Sequence, residues 1–371
     1  MPTPALEAFL AERRPTPYLV LDAGLVAQRY AELTAAFPGA EILYAVKACP
    51  EPDVLSTLAA LGSGFDVAGA EEIALCLDAG ADPARLCHGN PVRGPGAAAA
   101  AAAQGVRRFV TDSAEDLGGL PAGAEVLVRV IVADDGAATP FLGKFGATPA
   151  EAARLARGTA GVAFHAGSQQ LRPAAFAAGA RVALRVAHAA GIATPVLDVG
   201  GGLPVRYRAA VPPLVAYAEA IHGAVAEAVA AGDVDGVRLV LEPGRALVAE
   251  AGVLRTTALR VSRRPGSDHR RWVYLDAGRY QGLAEAEGEA IDYPVRAPGR
   301  CGPPGPVVLA GPTCDGDDVL YRRRPYALPL DLAAGDVVDL LQAGAYTASY
   351  ASVGFNGFGP LPVHVLASTL A

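Results

Sequence analysis

The sequence predicts an α/β protein built from a TIM-like (β/α)8 barrel and a C-terminal antiparallel β-domain. Between about residues 42 and 245, eight short apolar runs alternate with alanine-rich segments that favour helix. This alternation is typical of parallel βα units. Beyond about residue 250, apolar runs follow one another with turns and few helical segments between them. The length of 371 residues fits two domains better than one small core.

Each barrel strand is predicted from a short run that ends in turn or polar residues. Eight successive parallel units favour a closed barrel over an open sheet. The alanine-rich segment 94–105 is predicted to be an ordinary helix opened by Gly and Pro. In chain order, the predicted strands are 42–47, 64–69, 85–90, 108–112, 125–132, 161–168, 195–202 and 238–245.

The change of pattern near residue 250 marks the predicted domain boundary. The later runs include GVLRTTALRVS, RRWVYLDAG, GPVVLAG and GDVVDLLQAGAY, which predict antiparallel strands. The early run YLVLD (18–22) precedes the barrel and is assigned to the same β-domain, whereas 262–271 is predicted to be an exposed loop. We therefore predict a barrel over 23–250 and a β-domain formed by 1–22 and 251–371.

Composition and charge argue against several classes of partner. The formal net charge is −7 and the pI is about 5.4, and no basic patch or tail indicates nucleic acid. No apolar run approaches the roughly 18 residues of a membrane span. The N-terminus lacks the pattern of a signal peptide, so a cytoplasmic location is expected. The five cysteines lack CxxC spacing, which indicates reduced thiols and no metal site.

Lys47 gives the strongest single indication of chemistry. The chain has only two lysines, Lys47 and Lys144, and nearly every other cationic residue is arginine. Lys47 ends the apolar run ILYAV, where an apolar wall is expected to lower its pKa and free the amine as a nucleophile. The alternative is a lysine that extends to solvent. A neutral lysine indicates a carbonyl partner, either a substrate aldehyde or pyridoxal phosphate (PLP).

Glycines and polar residues at the other strand ends predict an anion site, because barrels carry their chemistry at the carboxyl ends of the strands. The glycines of DVGGG (198–202) precede a predicted helix and allow backbone N–H groups to approach an anion closely. Ser168 and Arg245 lie at neighbouring strand ends and complete a predicted phosphate site. Taken singly, each of these residues is equally well explained as part of a turn or as a helix cap. Taken together, they favour a phosphate site.

Three further residues suggest how a flat cofactor and its substrate are handled. A carboxylate such as Glu242 facing a pyridine nitrogen keeps that nitrogen protonated and makes the ring a better electron sink. A local ion pair within EPGR is the alternative. His165 is either a stacking partner for the ring or a structural residue. Cys314 lies among three acids in GPTCDGDD, which oppose a thiolate and favour a proton donor.

Eight motifs follow one another along the chain: YAVKA, FDVAGAEEI, FLGKFG, HAGSQ, LDVGGG, EPGR, GPTCDGDD and GAYT. Together they resemble the fold-type III PLP-dependent decarboxylases, in particular the ornithine/lysine (diaminopimelate) decarboxylase group, and within it bacterial ornithine decarboxylase. The resemblance extends over roughly residues 16–365. It implies a PLP-binding (β/α)8 barrel, a C-terminal β-domain and a homodimer with shared active sites.

The resemblance assigns roles in the cofactor site residue by residue. It implies that Lys47 bears PLP, that Glu242 meets the pyridine nitrogen and that His165 stacks on the ring. The phosphate is held by Ser168, the glycines 200–202 and Arg245, with help from Tyr346. The complete set of implied cofactor contacts is Lys47, Asp66, Arg129, His165, Ser168, Gly200, Gly201, Gly202, Glu242, Gly244, Arg245 and Tyr346.

The resemblance also implies contacts between two subunits. Cys314 would reach the active site of the neighbouring subunit and reprotonate the substrate carbon. Asp315 beside it would meet the distal amino group of the substrate. Lys144 would form an ion pair across the dimer, with Asp318 as its expected partner.

The implied reaction is decarboxylation of a basic L-amino acid to the diamine and CO2, with ornithine expected first and lysine second. Tyr280 and Glu289 are expected substrate contacts, and Glu285 and Glu287 compete with Glu289 for the second amine ligand. Three alternatives stay open. They are a decarboxylase of diaminopimelate, carboxynorspermidine or a natural-product intermediate, a PLP racemase, which would lack GPTCD, and a non-catalytic homologue, which would have lost Lys47 or Cys314.

Overall fold

The computed structural model describes residues 2–141, 143–264 and 270–367. The chain divides into two compact units. The β unit comprises Met1–Val26, Arg206–Ala210 and Val248–Ala371, and the barrel unit comprises Ala27–Val205 and Val211–Leu247. The short segment 206–210 interrupts the barrel unit along the chain, which the sequence pattern did not indicate.

Several helices begin at residues that suit a helix N-terminus. The Thr3 and Thr148 side chains accept backbone N–H bonds in the first turn of their helices, which satisfies donors that would otherwise lack a partner. No helix in the described part of the chain is long and apolar enough to span a membrane. The α-helices are α1 (Pro4–Ala11), α2 (Ala23–Ala36), α3 (Pro52–Ala60), α4 (Ala70–Asp78), α5 (Ala97–Ala103), α6 (Ala114–Leu117), α7 (Pro149–Leu155), α8 (Pro173–Ala190), α9 (Leu214–Ala230) and α10 (Arg245–Val248).

The barrel unit contains a closed barrel of eight parallel strands, which confirms the predicted fold class. Strand β1 (Tyr18–Asp22) precedes the barrel, and the barrel strands follow one per predicted run. They are β2 (Glu41–Ala45), β3 (Gly64–Val67), β4 (Leu86–His88), β5 (Arg108–Thr111), β6 (Glu125–Arg129), β8 (Gly161–Ala163), β10 (Val196–Asp198) and β11 (Arg238–Leu241). A separate antiparallel pair, β7 (Ala137–Thr139) with β9 (Ser168–Gln170), was not predicted.

Apolar side chains from seven of the barrel strands form one buried cluster, while polar side chains lie at or near the strand ends. Arg129 and Asp198 are the last residues of β6 and β10, and Asp66 is the last but one of β3. The fold therefore gathers these residues at one end of the barrel, where such folds place their chemistry. The buried cluster is Leu43, Cys87, Val110, Leu127, Ala163, Val196 and Val240.

The β unit is a mostly antiparallel sheet that β1 joins, as the run YLVLD predicted. β1 pairs antiparallel with β12 but parallel with β18, and β13 pairs parallel with β15, so the sheet is mixed. The predicted loop 262–271 is shorter at both ends, and 265–269 lie outside the described residues. The remaining strands are β12 (Gly252–Arg263), β13 (Arg271–Leu275), β14 (Val295–Arg296), β15 (Pro304–Ala310), β16 (Val319–Pro329), β17 (Val337–Leu341) and β18 (Val363–Leu366).

Candidate active site

Lys47 follows β2 directly, within the single 3₁₀ turn Val46–Ala48. Its Nζ lies 2.5 Å from Oδ2 of Asp66 on the neighbouring strand β3. The Asp66 side chain is 5% exposed, whereas the Lys47 side chain is 53% exposed. The predicted apolar wall around Lys47 is therefore wrong. The amine is accessible to a carbonyl compound and is oriented by a buried carboxylate.

The glycine loop 200–202 follows β10 and has no room for side chains. A Cβ on Gly200 would lie 2.5 Å from the carbonyl oxygen of Phe164, and one on Gly202 would lie 2.1 Å from that of Gly167. Gly200 and Gly202 also have φ of +67° and +94°, a backbone conformation that glycine adopts without strain. The loop therefore presents bare backbone, as a closely held anion requires.

Ser168 and Arg245 lie together beside this loop, as predicted for a phosphate site. Nη2 of Arg245 is 3.2 Å from Oγ of Ser168, and Arg245 is buried directly after buried Gly244. The strand that Ser168 begins is tied to the glycine loop because the Gln170 N–H donates to the Gly202 carbonyl at 2.9 Å. A guanidinium, a hydroxyl and a bare glycine loop are suitable partners for a phosphate dianion.

His165 presents a flat, uncharged ring next to the glycine loop. Burial and the nearby cations Arg129 and Lys47 hold the pKa of His165 well below its usual value. Its Nδ1 accepts the Gly167 N–H at 3.0 Å, so the proton of the neutral ring lies on Nε2. Phe141, which the sequence did not single out, contacts His165 edge-on with ring centroids 4.6 Å apart. This arrangement suits stacking on a flat cofactor.

Arg129 lies between two aromatic rings of the FLGKFG motif. Its guanidinium carbon is 4.9 Å from the ring centroids of both Phe141 and Phe145. Burial lowers the pKa of Arg129, and the negative charges of Glu242, Asp112, Asp66 and Asp198 oppose this shift. Cation–π contacts with these two rings therefore hold the Arg129 guanidinium, which is the group predicted to contact the cofactor, in place.

Glu242 offers a buried acceptor that fits the pyridine nitrogen of PLP. Its Oε1 is buried, and no hydrogen-bond donor reaches it from any part of the chain that the structure describes. Burial, followed by the neighbouring Asp198 and Asp66, raises the pKa of Glu242 well above its usual value. A Cβ on Gly89 would lie 2.1 Å from Asp66 Oδ1 and 3.5 Å from Glu242 Oε1, so glycine keeps space open at these carboxyl groups. A protonated ring nitrogen would supply the missing donor.

The raised pKa of Glu242 predicts how the cofactor-free protein responds to pH. The pKa of Glu242 in the folded state lies above the unfolded value of about 4.3. The stability that protonated Glu242 contributes to the fold is therefore complete below about pH 4.3 and is lost as the pH rises through the folded pKa. As the pH rises above about 4.3, the Tm of the wild type should therefore fall relative to that of Glu242→Gln. Thermal unfolding followed by circular dichroism measures this difference, with exposed Glu71→Gln as the control. Parallel curves for wild type and Glu242→Gln would contradict the assignment.

In the β unit, the structure brings Cys314, Asp315 and Tyr280 together in one loop region. Cys314 is exposed, and its N–H donates to Oδ1 of Asn356 at 3.0 Å. The Tyr280 ring lies 4.6 Å from that of Phe355. Burial and the adjacent Asp315 carboxylate raise the pKa of Tyr280. An exposed thiol, a carboxylate and a phenol therefore share one surface of this unit.

Glu289 has a structural role in place of the predicted substrate contact. Its Oε1 accepts the N–H groups of Arg322 and Arg323 at 2.9 and 2.7 Å, and its Oε2 accepts that of Arg324 at 2.9 Å. Three backbone donors lower the pKa of Glu289 against the effect of burial. Because both oxygens are used within the fold, Glu289 secures strand β16 and is not available to a substrate amine.

Asp318 is likewise used inside its own loop. It is 2% exposed, and its carboxylate accepts the N–H and hydroxyl of Thr313 at 3.1 and 2.7 Å and the N–H of Arg279 at 2.9 Å. It therefore supports the GPTCDGDD loop, and its ion pair with Lys144 of a second subunit stays a prediction. Lys144 belongs to the barrel unit and lies over the Phe145 ring. Tyr346 belongs to the β unit, where it adopts φ of +57°.

Besides Phe141, the sequence analysis missed Asp198, the last residue of β10. It is fully buried, and its Oδ1 accepts the Gly200 N–H at 2.8 Å. Burial raises the pKa of Asp198 to about 6. Its position immediately before three glycines at a strand end was the available signal. Together these residues fit a flat, phosphate-bearing ring with a protonated nitrogen, and such a cofactor supplies an electron sink when it is bound.

Comparison with known proteins agrees with this site. The model of the pyridoxal-dependent decarboxylase family, pyridoxal binding domain, matches residues 23–249. A lysine/ornithine decarboxylase of Selenomonas ruminantium is 35% identical over 363 residues, covering 94% of this chain and 89% of that protein. A diaminopimelate decarboxylase of Actinosynnema pretiosum subsp. auranticum is 35% identical over 387 residues, covering 97% of this chain and 85% of that protein.

A solved structure extends the agreement to the fold of the whole chain. The lysine/ornithine decarboxylase of Vibrio vulnificus in complex with cadaverine is 29% identical and superposes with a TM-score of 0.84, covering 98% of each chain. The match of the family model over the barrel, the related sequences and a site that fits PLP lead to one conclusion. The chain belongs to the pyridoxal-dependent decarboxylase family and is a PLP-dependent amino-acid decarboxylase.

Proposed function

We propose that this decarboxylase converts a short basic L-diamino acid, L-ornithine or L-lysine, to the diamine and CO2. The observation that carries the proposal is the exposed loop of Cys314 and Asp315, which pairs a proton donor with a carboxylate suited to a distal ammonium group. Similarity to a lysine/ornithine decarboxylase over 94% of the chain supports it. The two substrates differ by one methylene, typically a difference of about 1–3 kcal/mol in a pocket, so activity on both is expected.

In this proposal the barrel residues hold and orient the cofactor. Lys47 holds it covalently through the accessible amine, and Asp66 orients that amine. Ser168 and Arg245 bind the phosphate with the glycine loop 200–202. Neutral His165 stacks on the ring without placing a second positive charge beside it, and bound PLP supplies the sink for the electrons of the broken bond.

Each active site would be completed by a loop from a second subunit. Cys314 and Asp315 lie in the β unit, and the segment 350–356 that binds the Cys314 backbone carries exposed apolar side chains: Tyr350 is 60% exposed, Val353 is 65% exposed and Phe355 is 36% exposed. Phe355 directly precedes Asn356, which binds the Cys314 backbone. A group of exposed apolar residues is typical of an interface. We therefore place Cys314, as proton donor to the substrate carbon, and Asp315 in the site of the partner subunit.

Mixing two inactive variants tests the shared site. Lys47→Ala and Cys314→Ala dimers should each lose normal decarboxylation with correct reprotonation. Random exchange of subunits makes about half of the dimers hybrids, and each hybrid contains one intact site, so activity should return to roughly a quarter of the wild-type value. Each variant mixed with itself is the control. If subunits exchange and no activity returns, both residues belong to the site of one chain.

Asp315→Asn tests recognition of the distal amine. Loss of the charge should raise KM for ornithine by about 10-fold or more and also lower kcat, because the ion pair helps to orient the scissile bond. Asp317→Asn is the matched control, since Asp317 is an exposed acid of the same loop. Diamine release is measured by chromatography. Equal wild-type activity on norvaline, which lacks the distal amine, would contradict the proposal.

Diaminopimelate is the second candidate substrate, because a diaminopimelate decarboxylase is also 35% identical to this chain. Its distal end carries a carboxylate, which a site containing Asp315 would repel. Arg279, a cation close to this loop, is already paired with Glu287 at 3.1 Å. A panel of L-ornithine, L-lysine and meso-diaminopimelate separates the candidates by kcat/KM, and a preference for diaminopimelate would overturn the proposed substrate class.

A further inference from the structure

Asp198 and Glu242 form a pair of buried carboxyl groups at the end of the barrel. Asp198 is fully buried and comes within hydrogen-bond reach of Glu242. Oδ2 of Asp198 and Oε1 of Glu242 are both buried, and neither receives an N–H or O–H bond from the residues that the structure describes. A buried acceptor without a donor is costly. Two adjacent carboxylates also repel each other strongly when both are ionised.

We propose that Asp198 is a positioning residue for the cofactor, which shares one proton with Glu242 and holds the glycine loop through Gly200. One shared proton gives each carboxyl group a partner and leaves the pair with a single negative charge. The same Asp198 side chain accepts the Gly200 N–H at 2.8 Å, and the Glu242 N–H donates to the Gly200 carbonyl at 2.9 Å. Asp198 therefore links the phosphate end of the site to the acceptor for the ring nitrogen.

The surroundings of the pair support a retained proton. Burial is the largest influence on both groups and raises the pKa of each, and their neighbour Asp66 raises both further. Arg108 favours ionised Asp198, but its guanidinium is already bound to Glu41 at 2.8 Å and Glu125 at 2.7 Å. The titratable and charged groups that face the pair from the surrounding elements are Lys47, Asp66, Cys87, Arg108 and Arg129.

A simpler role for Asp198 would be to close the turn before the glycine loop. Asp22 does this elsewhere, since its Oδ1 accepts the Gly24 N–H at 2.9 Å and its side chain is also buried. Asp22 is therefore a matched comparison: it makes the same turn without a second carboxyl group in its hydrogen bonds. If Asp198 only closed a turn, Asp198→Asn would preserve the turn and behave like the wild type, because the amide oxygen still accepts the Gly200 N–H.

Infrared titration of the cofactor-free protein distinguishes the two roles. The wild type should show a neutral carboxyl band at pH 7, and Glu242→Gln should remove it. Asp198→Asn should move the loss of this band to lower pH by about one unit or more, because the neighbouring anion is gone. Asp22→Asn should leave the titration unchanged. Absence of the band in the wild type, or an unchanged titration in Asp198→Asn, would overturn the proposal.

Binding of PLP provides a second readout that does not depend on turnover. Asp198→Asn should weaken PLP binding by about 10-fold or more, as expected for the loss of a buried hydrogen-bond partner, whereas Asp22→Asn should not. Circular dichroism checks that both variants fold. If Asp198→Asn does not fold, the loss of the neutral carboxyl band in Glu242→Gln is the result that tests the proposal. The inference rests on the PLP site and not on the proposed substrate. Neither measurement includes an amino acid, so its failure is distinguishable from failure of the proposed function.

Discussion

Lys47→Ala is expected to lower kcat for decarboxylation by about 10³-fold or more, even with saturating PLP, because it removes the amine that holds the cofactor. Lys144 is the only other lysine in the chain. The 53% exposed Lys47 side chain, with Nζ held 2.5 Å from Asp66, makes this amine both accessible and oriented. Release of CO2 from ornithine and from lysine measures the loss.

Lys47→Arg separates the amine from its charge. Arginine keeps a cation opposite Asp66 but remains protonated and cannot serve as the nucleophile. Both variants should therefore be equally inactive while retaining the fold, as circular dichroism would show. Substantial activity in Lys47→Arg would contradict the assigned role, because it would mean that the ion pair alone is required.

Glu242→Gln is expected to lower kcat by about 10²-fold or more. Glutamine fills nearly the same volume but cannot keep a ring nitrogen protonated, so the electron sink is weakened while the pocket is preserved. Glu242→Asp provides the comparison, because it keeps a carboxyl group on a shorter side chain and should retain more activity than Glu242→Gln. Steady-state rates at saturating PLP measure both.

The outcome that contradicts this role is a Glu242→Gln enzyme with unchanged kcat and only weaker PLP binding. In that case Oε1 of Glu242, which is buried without a donor among the described residues, would serve only to hold the cofactor. Measuring PLP affinity alongside kcat separates the electronic effect from simple loss of binding.

The barrel could be predicted from sequence because its signal is local and repeated. Each strand is a short apolar run, and closure into a barrel places the strand ends together whatever the helices contain. The grouping of the residues predicted to bind phosphate was predictable for the same reason: Ser168, Arg245 and the glycines each lie beyond the carboxyl end of a barrel strand. The mixed pairing in the β unit was not predictable, because the apolar pattern of a strand does not specify the direction of its neighbour.

The surroundings of Lys47 could not be predicted, since they depend on a neighbouring strand. The run ILYAV indicated burial, but the chain turns at Val46–Ala48 and directs the side chain toward Asp66. The structural contacts of Glu289 and Asp318 could not be predicted for a related reason. Their carboxylates accept backbone N–H groups, and sequence patterns do not show which backbone groups need a partner in the folded chain.

Residues that act by positioning other residues were the hardest to predict from the sequence. Asp198 lies in DVGGG, a motif that we interpreted as a phosphate site because of its glycines. Its contact with Glu242 forms only when β10 and β11 pair. Phe141 is an ordinary aromatic residue in FLGKFG, and only the fold shows that it lies against His165. Such residues become visible from distances and burial rather than from the motifs.

Reductive labelling tests the central claim most directly. The purified protein, saturated with PLP, is treated with borohydride, digested and mapped by mass spectrometry. We expect a pyridoxyl group on the peptide that contains Lys47, in a stoichiometry near one per chain, and its absence in Lys47→Arg. Label confined to Lys144, or no label on a folded protein at saturating PLP, would contradict the account.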